Sequence, residues 1–160
     1  MIKSLNLNDF TCFSNNIIEF SKGINVLIGK NGTGKTHIMK CLTATLKANE
    51  EFKHSTAQTR DKYNELLSDK LMSYFKPDAL GRLVNKNSKS SSVGVEFFTG
   101  DKIEYGFSAG MKLVKSDVAN YIPTSPFLYI PPREVFSLFE GFIGLYERRE
   151  ISFDQSYVDL

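Results

Sequence analysis

The chain has 160 residues, 41% of them hydrophobic and 24% charged, with a formal charge of +2. This length gives about one domain able to bury a sizeable core, and so slight a positive balance, without a dense lysine and arginine cluster, leaves nucleic-acid binding unsupported by charge. No apolar stretch approaches a membrane span, and Lys3, Ser4, Asn6, Asn8 and Asp9 interrupt any signal-peptide core, so a cytoplasmic protein without a membrane partner is expected.

In chain order, Leu5 and Leu7 alternate with Ser4, Asn6 and Asn8 within residues 2–10, the period of a half-buried strand. A turn at Ser14–Asn16 leads to a second strand, Ile17 to Phe20, and Ser21-Lys22-Gly23 turns the chain into Ile24 to Ile28. That short β-branched run reads as a buried strand. Gly29 to Thr36 follows, and then Ile38, Cys41, Leu42, Thr45 and Leu46 recur at helical spacing.

Within residues 51–75, Tyr63, Leu67, Leu71 and Tyr74 form one apolar helical stripe, with Leu66 and Phe75 beside it. Pro77 ends this helix, and Asp78 is placed to cap a short turn from Ala79 to Val84. Asn85 to Ser92 reads as a mobile polar loop carrying Lys86 and Lys89. Val93–Phe98 and Lys102–Phe107 flank Thr99-Gly100-Asp101 as a hairpin, with a third strand expected at Met111 to Val114. Phe127 to Ile130 reads as a short buried strand stopped by Pro131-Pro132, and Arg133 and Glu134 open a helix through Phe139 that Gly141 and Gly144 weaken. Cys12 and Cys41 lie outside any C-x-x-C or His-Cys grouping and read as free thiols.

The chemistry concentrates in Gly29-Lys30-Asn31-Gly32-Thr33-Gly34-Lys35-Thr36, which fits G-x-x-x-x-G-K-[ST] at every fixed position. A triphosphate needs many donors with little side-chain bulk near its oxygens, and the glycines let the main chain curl around the β-phosphate. Lys35 is placed to bridge the β- and γ-phosphates, and the Thr36 hydroxyl to take one coordination position on Mg²⁺. Both roles require the loop to open a helix, whose free N–H groups and positive dipole end face the anion. Strand, loop and helix occur in the required order, so ATP and Mg²⁺ are the expected ligands.

A first strand ending Asn8-Asp9-Phe10, a second ending Glu19-Phe20, and then Gly23 to Thr36 with its Asn31-Gly32-Thr33-Gly34-Lys35 core resemble the N-terminal lobe of RecF, SMC and ABC-type ATPases over residues 1 to about 48. The resemblance implies an α/β phosphate-loop lobe with a mixed sheet, an N-terminal antiparallel hairpin or meander and flanking helices. It also makes Phe10, Thr11, Cys12 and Phe13, which join the first two strands, candidates for adenine or ribose contact; core packing is the alternative for Phe10 and Phe13. The run Tyr129 to Val135 with Ile151 to Asp154 resembles a subgroup of bacterial ATPases related to the overcoming-lysogenization-defect nucleases, several of which serve in anti-phage systems. By that resemblance Arg133 and Glu134 are candidate γ-phosphate sensors, the alternative being a surface helix start with its glutamate at the positive dipole end.

Hydrolysis also needs an apolar strand ending in Asp-Glu to hold Mg²⁺ and activate water. Val93-Gly94-Val95-Glu96 and Tyr157-Val158-Asp159 do not fit, Phe107-Ser108-Ala109-Gly110 lacks the helical context of a signature motif, and His37 and His54 follow the loop too closely to be a switch histidine. The expectation is therefore one incomplete ATP-binding lobe, with the hairpin, loop and first helix in 1–48, a helical insertion and mobile loop in 49–92, and a β-subdomain with a C-terminal helix in 93–160. Such a lobe would work in a homodimer or with a complementing ATPase lobe, and with a nuclease or other effector. A complete non-catalytic nucleotide-sensing subunit is the competing reading. A small phosphate-loop kinase is a third, disfavoured by the N-terminal hairpin and by the scatter of Arg60, Arg82, Arg133, Arg148 and Arg149.

Overall fold

A computed structural model describes residues 1–130. The elements are β1 (Ile2–Phe10), β2 (Phe13–Glu19), α1 (Lys35–His54), α2 (Arg60–Phe75), a 3-10 turn (Leu80–Leu83), β3 (Ser90–Phe97), β4 (Lys102–Ser108) and β5 (Lys115–Ser116). They form one sheet in the order β2-β1-β3-β4-β5, every neighbouring pair antiparallel. The α/β class is borne out, while the sheet of the described residues is antiparallel throughout rather than mixed.

Alternation makes the core. Leu5 and Leu7 of β1, Val93, Val95 and Phe97 of β3, and Ile103, Tyr105 and Phe107 of β4 are all buried. Because strand side chains alternate between faces, these residues line the face that the helices cover. From α1 come Ile38, Cys41, Leu42, Leu46, Ala48 and Phe52, and from α2 the expected stripe of Tyr63, Leu67, Leu71 and Tyr74, all buried. Phe52 meets Tyr63 edge to face at 5.2 Å, fixing the two helices against each other.

Local chemistry sets the element ends. Thr59 caps α2, its Oγ1 accepting from the Lys62 amide at 3.3 Å. The helix stops at Lys76, in the left-handed conformation with its N–H donated to Met72, one residue before Pro77. The turn after it is not capped by Asp78, because the carbonyl of extended Ala79 already accepts from Arg82 N–H at 2.9 Å.

Several sequence expectations shift. β3 begins at Ser90, so the last three residues of the expected mobile loop are strand, paired with β1 through Ser92 and with β4 through Ser90 and Ser91. The third strand of the meander is Lys115–Ser116 rather than 111–114. Residues 24–28 form no strand, and Ile24 and Ile28 are 92% and 91% exposed. No described strand pairs with this segment. Residues 127–130 likewise lack strand pairing, with Leu128 and Ile130 exposed while Phe127 lies under the Lys47 ammonium. The expected helix from Arg133, Pro131-Pro132 and the run at 151–159 lie outside the described residues.

Buried polar groups are used as ties. Asn64 Oδ1 accepts from Ser116 N at 2.9 Å and Ser116 Oγ at 2.7 Å, and Ser68 Oγ accepts from Val114 N at 2.9 Å. Asn49 brackets Ile122, donating to its carbonyl and accepting from its amide. Side chains of α1 and α2 thus take the place of a neighbouring strand for residues 114–122, which meets the requirement that buried backbone groups be paired.

The two thiols sit in opposite environments. Cys12 is exposed and Cys41 fully buried, its Sγ 3.4 Å from Tyr105 Oη, which in turn meets Thr45 Oγ1 at 3.2 Å. Burial pushes the Cys41 thiol up to about 12. A thiol-reactive reagent at neutral pH is expected to modify one cysteine in the native chain and two after denaturation, because the thiolate is the nucleophile. The sign of the pH effect follows from the raised value. The folded state holds the proton where the unfolded thiol has lost it, so this contribution to stability is full below pH 9.0 and is lost as pH rises toward 12. Cys41→Ala is expected to flatten that alkaline loss in urea denaturation midpoints.

Candidate nucleotide-binding site

The loop expected to hold phosphates leads directly into α1. Gly32 and Gly34 take φ values of +82° and +95°, which L side chains rarely adopt, and Gly34 is the N-cap of the helix. No side chain caps α1 and no acidic residue occupies its first turn, so its free N–H groups and positive dipole end are left for an anion. Ile38 N–H closes the first helical bond on Gly34 at 3.0 Å. Thr33 Oγ1 donates to Lys30 O at 2.9 Å, and Lys35 Nζ donates to the carbonyls of Gly29 and Lys30 at 2.7 Å each. The ammonium is thus folded across the mouth of the loop, held by neutral acceptors that anionic phosphate oxygens can outcompete. Lys30, Asn31, Gly32 and Thr33 are exposed, as is Thr36 at the start of the helix.

The turn between β1 and β2 forms the second wall. A Cβ placed on Gly34 would come within 2.5 Å of Phe13 Cζ and 2.6 Å of Cys12 Sγ, so both side chains lie directly over the loop. Thr11 has φ +53°, strained for a β-branched residue, and Asp9 φ +50°. Backbone bonds to the 3-10 segment hold both in place: Thr11 N–H donates to Leu83 O at 2.7 Å and Asn85 N–H to Asp9 O at 2.8 Å, with Phe10 bridged to Val84. Phe10 is a core residue, fully buried, with edge contacts to Phe75 at 5.5 Å and Phe107 at 6.4 Å. Of the four joining residues, Cys12 is exposed and Thr11 and Phe13 are half-buried, while Phe10 lies in the core.

Behind the loop, the His37 ring meets Phe75 at 5.4 Å and its Nδ1 is buried without a hydrogen-bond partner. Burial first, and Lys40 second, hold the imidazole below its usual pKa. Lys40 Nζ donates to Tyr74 O at 2.8 Å and lies 5.9 Å from the Phe75 ring. Sequence periodicity placed Phe75 beside the α2 stripe and gave no sign of its link to the loop, which depends on a contact between residues 38 positions apart.

The sequences weighed as hydrolysis motifs are occupied otherwise. Val93 to Glu96 lies in antiparallel β3, where Glu96 bonds Lys3 at 2.9 Å and Ser4 at 3.2 Å on the outer sheet face. Residues 107–110 end β4 and enter a turn rather than a helix. His54 ends α1. Arg133 and Glu134 lie outside the described residues. No group of three or more His, Cys, Asp or Glu that could hold a metal occurs among the described residues, and no helix there is long and apolar enough to cross a membrane.

Residues 4–126 match the family described as an AAA domain. The chain belongs to the AAA-domain family. A stretch of 46 residues of this AAA domain is 41% identical to the DNA double-strand break repair Rad50 ATPase of Methanopyrus kandleri, covering 29% of the chain and 5% of that relative. A solved chain from work on the structural biochemistry of ATP-driven dimerization and DNA-stimulated activation of SMC ATPases overlaps 72% of this chain and 69% of its own length, at 20% identity and a TM-score of 0.48. The AAA-domain match bears out the resemblance at the level of that family, and the Rad50 likeness over 46 residues agrees with it.

Proposed function

We propose that this AAA domain binds ATP with Mg²⁺ through Gly29–Thr36 and acts as the N-terminal, ATP-binding lobe of an SMC- or RecF-type ATPase. The observation that carries the reading is the uncapped, acid-free N-terminus of α1, entered through left-handed Gly32 and Gly34 and crossed by the Lys35 ammonium. On this reading the loop N–H groups and Lys35 hold the β- and γ-phosphates, Thr36 supplies one oxygen to Mg²⁺, and Thr11, Cys12 and Phe13 lie along the sugar or base.

Efficient hydrolysis on this account requires a carboxylate pair and a signature element from a complementing lobe. The exposed apolar residues Ile24, Val26 and Ile28 support that, since a segment that pairs with no strand among the described residues is suited to a further strand. Arg133 and Glu134 would sense the γ-phosphate. The resemblance to ATPases related to the overcoming-lysogenization-defect nucleases supports a role in DNA maintenance or anti-phage defence, in the cytoplasm, with a nuclease or similar effector downstream.

Incubation of the pure chain with ATP and Mg²⁺ tests the division of labour. Negligible phosphate release is expected. Turnover near ~1 s⁻¹, within the usual enzyme range, that disappears in Lys35→Ala would show a self-sufficient enzyme and overturn the lobe reading.

A further inference from the structure

We propose that Phe75, at the C-terminal end of α2, is the positioning residue that sets the spacing between the two walls of the nucleotide site without touching nucleotide. This rests on the reading of Gly29–Thr36 as the phosphate site and of the 11–13 turn as the sugar or base contact.

The Phe75 ring stands where three elements converge. One edge contact, at 5.5 Å and 87°, goes to Phe10, the last residue of β1 and the one from which the Thr11-Cys12-Phe13 turn departs. The other, at 5.4 Å and 70°, goes to His37, the residue after Thr36 in the first turn of α1. Lys40, one turn further along α1, donates to the Tyr74 carbonyl at 2.8 Å and carries its ammonium 5.9 Å from the Phe75 ring. A single side chain therefore joins the base of the 11–13 turn to the base of the phosphate loop.

That joint matters because the direct contact between the two walls, Cys12 and Phe13 resting on Gly34, is simple van der Waals packing with no preferred angle of its own. Gly34 has no side chain to interlock with them, and the left-handed Thr11 is bonded to Leu83 O. Edge-to-face aromatic pairs have a preferred geometry, so the Phe75 pairs define a distance and an angle rather than a mere apolar filling. Ligand groups that reach both walls gain from that fixed spacing as preorganisation, whereas groups that reach only the loop do not.

The test compares ATP, which spans both walls, with inorganic tripolyphosphate, which meets only the loop, by calorimetric titration of the full chain with Mg²⁺. Phe75→Leu keeps most of the volume and removes the ring edges. Loss of two such aromatic pairs is expected to weaken ATP about tenfold and tripolyphosphate less than about twofold, and Phe75→Tyr is expected to restore ATP affinity. A general loosening of the fold would weaken both ligands alike. Equal weakening of both, or of neither, overturns the role of Phe75 while leaving the nucleotide site standing. A wild-type chain that binds neither ligand overturns both. If Phe75→Leu does not give a folded chain by circular dichroism, Phe75→Met is read in the same way.

Discussion

Gly81→Ala is expected to cost about 3 kcal/mol, at the upper end of overpacking penalties, and to lower the thermal midpoint by about 10 °C at this chain length. A Cβ on Gly81 would lie 2.0 Å from the carbonyl oxygen of Ala109 and 2.5 Å from its carbonyl carbon. The obstacle is backbone, which cannot rotate aside as a side chain would. The 3-10 segment that Gly81 belongs to would be pushed off the turn after β4, a turn held by Ala109 N–H donating to Lys89 O at 3.1 Å. Displacement of that segment also withdraws the Leu83 carbonyl from Thr11 and the Val84 bridge from Phe10. Nucleotide affinity is therefore expected to fall along with stability. Gly110→Ala, where the added Cβ meets nothing within 4 Å, is the matched control and is expected to leave the midpoint unchanged. Differential scanning calorimetry of the two variants checks the contrast.

Asn64→Leu is the second large effect, expected to cost about 2–3 kcal/mol in urea denaturation because it leaves buried donors without acceptors. Asn64 Oδ1 receives both the amide and the hydroxyl of Ser116, and leucine fills the volume while accepting neither. β5 has only two residues and, among the described residues, one strand neighbour, so its edge depends on these helix side chains. Ser68→Ala, which removes the Oγ acceptor of Val114 N–H, is expected to cost about 1 kcal/mol on the same scale. Hydrogen exchange gives a local check: the amides of Val114 and Ser116 should lose protection in the corresponding variant while those of β1 and β3 retain it.

What the sequence made legible was periodic or motif-like. Leu5 and Leu7 at strand spacing, the α2 stripe from Tyr63 to Tyr74, and the hairpin around Gly100 all appear where alternation and helical spacing put them. The glycine loop expected to hold phosphates was legible because that chemistry requires a fixed spacing, and the loop does lead into α1. Contacts distant in sequence were not. Nothing local to Gly81 announces the Ala109 carbonyl against it, and nothing local to Asn64 announces Ser116. Composition alone also made Ile24 to Ile28 a buried strand, yet a strand needs a neighbour, and among the described residues it has none. The same pattern split the joining residues. Phe10 and Phe13 look equivalent as a sequence, but Phe10 is fully buried, whereas Phe13, its partner across the hairpin, is half-buried and lies over Gly34.

The central claim is that Gly29–Thr36 holds a triphosphate, and calorimetric titration of wild-type and Lys35→Ala chains with ATP in the presence of Mg²⁺ tests it most directly. The account predicts saturable one-to-one binding to the wild type and affinity lower by about a hundredfold in Lys35→Ala, the scale of losing a charge-assisted contact to phosphate. Binding of equal strength in both chains, or no saturable binding in the folded wild type, would contradict it.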